Sequence, residues 1–111
     1  MTIEVPRDQW SDYLESISAE YQGRPVTVHI ENPEVGNQVL VRGVPLIGIE
    51  PDLRQDTIIL ILADPEGADP EGIRHFITAP TAIFAKQDDQ GNTQVVDFQS
   101  QDEGMTLLSL L

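Results

Sequence analysis

The chain has 111 residues, of which 40% are hydrophobic and 5% aromatic, and it contains no cysteine. That is the length of a single domain, 1–111, with apolar material for one core; disulfides, thiolate metal sites and cysteine nucleophiles are excluded. The 19 acids against 6 bases leave a net charge of −13, a field that repels nucleic acid and anionic membranes and suits either solubility or a basic partner.

The opening MTIEVPRDQW has no basic start and no apolar run, so no signal peptide is expected. No stretch approaches the roughly 18 apolar residues needed to span a bilayer. A cytoplasmic protein without membrane contact is the expectation. In PRDQWSDYLESISAEYQG, the residues Trp10, Tyr13, Leu14, Ile17 and Tyr21 fall on one stripe of a 3.6-residue period, which predicts an amphipathic helix. Pro6 suits its first turn, Asp8 its positive end, and Gly23 its stop.

The period then changes to two. PVTVHIE puts Val26, Val28 and Ile30 on one face and Thr27, His29 and Glu31 on the other. After the turn cluster NPEVGN comes QVLVRGVPLIGIEP, an extended stretch interrupted by Gly43, Pro45 and Gly48. It reads as one strongly bent strand, or as two strands meeting at a corner. TIILILA is apolar on both faces and therefore calls for a cover on both, one of them the N-terminal helix and the other the sheet curling over itself or a second subunit. A further strand, RHFITAP, breaks at Pro80. TAIFAKQ and TQVVDFQS flank the hairpin signal DDQGN, and MTLLSLL follows QDEG as the last strand. The expected fold is α+β: an N-terminal amphipathic helix, then a strongly bent antiparallel sheet of six or seven strands. The bends point to a partly closed barrel of the Sm or SH3 kind, with an open meander as the rival.

The order VPRDQW, VTVHIENPEVGNQV, GVPLIGIEPDL, an apolar strand and HFITAPTAIFAK resembles a family of small stand-alone bacterial proteins catalogued only as a domain of unknown function. The resemblance covers nearly the whole chain. It implies a bacterial origin and a compact domain, and it brings no catalytic residues with it.

Candidate chemistry is sparse. DPEGADPEG, residues 64–72, carries four carboxylates, as a divalent-cation loop would. It fails the EF-hand pattern, with Asp69 at the sixth position and His75 at the twelfth, and it matches two successive type I turns. His29 and His75 could assemble a zinc site only together with an acidic residue, and two histidines so far apart in the chain are a weak sign of one. There is no Gly-x-Ser-x-Gly elbow and no Gly-rich phosphate loop. No catalytic residue, metal ligand or cofactor is assigned, and no enzyme is expected. The terminal Leu107, Leu108, Leu110 and Leu111 read as a last core strand or, as candidate interface residues, as a subunit contact on a final edge strand or on its outer face. The favoured reading is a non-enzymatic interaction or accessory module, a homodimer with an unknown protein partner. The alternative is a ligand-binding or metal-binding protein, or a weak enzyme, with its site near the Gly43–Gly48 bend, His75 and the 64–72 loop.

Overall fold

The computed structural model describes residues 1–34, 36–101 and 104–110. In chain order the described elements are β1 (Thr2–Glu4), a 3₁₀ turn (Arg7–Gln9), α1 (Trp10–Tyr21), β2 (Pro25–Asn32), β3 (Gly36–Asp52), β4 (Thr57–Leu62), β5 (Ile73–Thr78), β6 (Pro80–Gln87), β7 (Thr93–Ser100) and β8 (Gly104–Ser109). The strands form one antiparallel sheet in the order β1-β6-β7-β8-β2-β3-β4-β5. The α+β class is as expected. The strand count is one higher than the upper expectation, because β1 lies ahead of the helix and pairs with β6 through Thr2–Lys86, Ile3–Ala85 and Glu4–Phe84. Three residues are too few to show a period of two, so only tertiary pairing makes them a strand.

The bend lies in β3. Its 17 residues form one strand that serves two ladders: residues up to Pro45 pair with β2, and Leu46 onward pairs with β4. Near the changeover Gly43 takes φ +65, a left-handed conformation that a side chain resists, and its N–H donates to Thr27 Oγ1 at 3.1 Å. A second irregularity follows between Leu46 and Gly48. The two halves of the sheet fold toward each other around this strand. The sheet does not close: among the described residues no ladder joins β5 to β1, which departs from the expected Sm or SH3-like barrel. The β5–β6 corner instead bonds across. Ala79 N donates to Asp56 O, Gln101 N donates to Ala79 O, and Ser100 Oγ donates to Thr78 O.

The helix fills the space this leaves. Trp10, Leu14 and Ile17 are buried, and Tyr13 and Tyr21 pack against the same core from its margin. Each fully buried large side chain contributes about 1.5–3 kcal/mol. Trp10 Nε1 donates to Val5 O at 2.9 Å, so the ring also anchors the turn into the helix. The later half of β3 has β4 on one side only, and α1 covers its other edge. Ser18 Oγ accepts from Ile49 N at 3.1 Å, Gly23 N donates to Leu46 O, and Leu46 N donates to Arg24 O. These backbone groups would otherwise be orphaned beside the core.

Strand β4 behaves as its composition demands. Ile58, Leu60 and Leu62 are fully buried in the core that also contains α1's apolar residues, and Ile61 on the other face is 6% exposed.

Candidate functional site

Five strands, β6, β7, β8, β2 and β3, present their inner rows to the core. Ile83 and Phe98 share one inner row, and Val96, Leu108 and Val28 share the next. The row between them must point outward. By register it runs Phe84, Asp97, Leu107, His29, Val39. Among the described residues no helix lies over it, since α1 packs on β3 and the core. The row is apolar at Leu107 at its centre, at Phe84 and at Val39, which is 42% exposed, and it continues past Phe84 to the exposed Glu4 of β1.

Its two polar members differ in setting. His29 is half-buried. Asp97 is only 5% exposed, although it faces away from the core, and its Oδ1 is buried without a hydrogen-bond partner. Phe84 and Leu107 flank it directly in the ladders. Burial pushes the Asp97 carboxyl above the ordinary range; the positive charge of Lys86 and the Gln99 side chain oppose the rise, and Glu31 adds to it. A second outward row, Gln99, Met105, Glu31 and Asn37, runs alongside. At its margin these residues, with Asn32 and Thr81 among others, border an open hollow of about 440 Å³.

The residues expected to matter are dispersed. Leu107 lies at the centre of the outward row, whereas Leu108 and Leu110 are buried at 0% and 7% exposure, and Leu111 lies outside the described residues. Strand β8 is paired on both sides, with β7 and β2, so it is not an edge strand; only its outer face is available. His75 points inward on β5 opposite Leu60, and its Nε2 lies 3.2 Å from Thr106 Oγ1. Gly48 faces Ser18 of α1.

The 64–72 loop is two turns in succession: Gly67 N donates to Asp64 O, and Gly72 N donates to Asp69 O. Asp64 Oδ1 and Oδ2 accept from the N–H groups of Glu66 and Asp69, and Asp69 Oδ1 accepts from Glu71 N. These backbone donors hold the Asp64 carboxyl below its ordinary range. The loop's aspartates are thus directed onto its own backbone. Among the described residues no three His, Asp or Glu converge as metal ligands would.

The profile of a family of unknown function, DUF5335, matches residues 1–111. The chain belongs to that family. It is also 26% identical over 98 residues to an uncharacterized protein of Aquifex aeolicus (strain VF5), covering 86% of this chain and 82% of the relative. The relative's source agrees with the bacterial origin expected from the sequence. No solved structure matches the chain.

In this DUF5335 chain the feature that sequence reading missed is Asp97. A signal was present: in TQVVDFQS a carboxylate interrupts Val95, Val96 and Phe98. Alternation alone places it outward and so makes it look solvated. Only the ladder neighbours show it to be enclosed.

Proposed function

We propose that the protein is a non-enzymatic interaction or accessory module of the bacterial cytoplasm that acts as a homodimer. The observation that carries this reading is the uncovered outer face of β6, β7, β8, β2 and β3, with its row Phe84–Asp97–Leu107–His29–Val39. Two bodies of net charge −13 repel each other over most of their surfaces. Between Phe84 and Val39 this row carries a single carboxylate, and that one is enclosed; the exposed Glu4 lies beyond Phe84. It is therefore where two copies meet at least electrostatic cost. A second protein has the β5 edge available, where Phe76 is 50% exposed and Ile73 is 39% exposed.

Native mass spectrometry of tag-free protein, across a concentration series, tests the reading. A dimer that dissociates on dilution supports it. A monomer throughout the series removes it.

A further inference from the structure

We infer that β5 is a strand-addition site: an extended segment of another protein, with alternating apolar residues and a basic flank, pairs along the edge at Arg74 and Phe76 and lays its flank beside the 64–72 loop. The inference rests on the interaction-module reading above and names the chemistry of the second partner.

The sheet ends at β5, which pairs with β4 alone among the described strands. In an antiparallel ladder, residues alternate between exchanging both backbone bonds with the neighbouring strand and directing both away from it. Two bonds fix which residues of β5 do which. Ala79 N donates to Asp56 O, one step beyond the Thr57–Thr78 pair. The pairs Ile58–Ile77, Leu60–His75 and Leu62–Ile73 therefore carry the ladder's bonds, while Thr78, Phe76 and Arg74 direct theirs away from β4. Ser100 Oγ agrees, since it reaches Thr78 O from outside the ladder. That bond closes the edge at Thr78. The N–H and C=O groups of Arg74 and Phe76 stay open, in the spacing that one strand presents to the next, and no described residue bonds to them.

The other free edges are guarded in the ways proteins guard them. Strand β1 has only three residues. The first half of β3 is irregular, with register shifts against β2 and the left-handed Gly43. Its second half is capped by Ser18 and bears Pro51, which has no N–H to offer. Strand β5 keeps one register along its length and contains neither proline nor glycine. On its outer face Phe76 is 50% exposed, and Arg74 beside it is exposed too. Backbone groups in this spacing select an extended strand, and Phe76 selects an apolar residue next to it. Charge selects the flank. Arg74 disfavours a cation directly opposite, so basic residues belong farther along. A chain lying on β5 cannot continue past Thr78, where Ser100 stands, so it leaves past Ile73. There it meets the 64–72 loop, whose Glu66 and Glu71 are exposed, while Asp64 and Asp69 are turned onto the loop's own backbone. Three residues of strand span about 10 Å, so a flank just beyond Arg74 comes within about one screening length of Glu71. Acidic residues in that place would instead meet a body of net charge −13.

The probe is an acetylated peptide of three alternating threonine–valine pairs followed by three lysines, titrated into isotope-labelled protein and followed by amide NMR and hydrogen exchange. The Arg74 and Phe76 amides should shift and gain exchange protection. N-methylating the alternating segment removes its N–H donors and should weaken binding at least about tenfold. Replacing the lysines by glutamates should do the same. Arg74→Pro removes an N–H that faces away from β4, so the ladder survives and the peptide should no longer bind. If that variant fails to fold, the peptide comparisons on the parent protein decide alone. Equal affinity of the N-methylated peptide overturns strand pairing, and equal affinity of the glutamate peptide overturns the basic flank. Shifts scattered over the acidic surface, without protection of Arg74 and Phe76, reveal attraction by charge alone and overturn the site. If Arg74→Pro folds and instead dissociates a parent homodimer, the edge belongs to a second copy and the inference is overturned. Native mass spectrometry of the parent separates this inference from the homodimer reading. A monomer that binds the peptide at β5 loses the homodimer and keeps the site, whereas a dimer that does not bind it keeps the homodimer and loses the site.

Discussion

Asp97 is the residue at which local pattern and environment disagree most. Its carboxyl is held above the unfolded value of about 3.9, because burial penalises the charged form. The sign follows from linkage. The penalty is fully present above the folded pKa, and stability is recovered as pH falls through that value toward the unfolded one. Asp97→Asn should therefore raise the midpoint of monomer unfolding at pH 7, by about 1 kcal/mol in stability, and flatten this part of the pH profile. Thermal melts of dilute protein between pH 4 and pH 8 check it (about pH 4 being the unfolded value). Asp64 and Asp88 run the other way, since backbone donors lower both; their contribution is present at neutral pH and is lost as pH falls through their folded values. A second strained residue is Ala79, held at φ +48 between β5 and β6 while its N–H and C=O both bond across the corner. Ala79→Gly should be neutral or should stabilise by up to about 1 kcal/mol, because glycine adopts this conformation without the Cβ penalty. Denaturant titration reads that difference, and clear destabilisation would mean the methyl group's packing outweighs the strain.

At the scale of elements, much was legible and for identifiable reasons. The stripe Trp10, Tyr13, Leu14, Ile17, Tyr21 repeats at helical spacing, and α1 spans Trp10–Tyr21 with those residues turned to the core. The two turns of the 64–72 loop follow from Asp, Pro and Gly at turn positions, and their hydrogen bonds are those the pattern predicts. The 17-residue β3 was open between one strand and two, because glycine and proline mark a bend without saying which neighbours pair with each half. The role of Ser18 was invisible for the same reason: it caps an edge that exists only once β4 has taken the other side. Ser18→Ala should cost about 1 kcal/mol, measured by denaturant unfolding, since it strands Ile49 N beside the core. Unchanged stability would show that water reaches that edge.

At the scale of the whole molecule, charge dominates. Among the described residues the ion pair is Arg7–Asp56 at 3.3 Å, with both side chains more than half exposed. Such a pair contributes at most about 1 kcal/mol and is readily screened. Self-repulsion from a net charge of −13 is therefore the larger salt-dependent effect. Raising ionic strength from about 0.01 M to about 1 M should raise the melting temperature, because the screening length falls from about 30 Å to about 3 Å. A fall with salt would mean that local attractions outweigh the net field. On the proposed homodimer reading, the same screening should strengthen self-association across the outer face, and the melting temperature should also rise with protein concentration.

Helix, strand periods and turns were readable from the chain because each depends on neighbours a few residues apart, through side-chain spacing and the backbone preferences of glycine, proline and aspartate. The same is true of the single apolar core and of the acidic surface, which composition alone implies. Ladder order, the open rather than closed sheet, the membership of β1 and the enclosure of Asp97 depend on residues far apart in sequence. Asp97 lies beside Phe84 and Leu107 because β6, β7 and β8 pair in one register. A shift of one residue would turn it to the core face. Long-range register is a collective outcome of the packed core, and it put Asp97 and His29 two strands apart in one outward row.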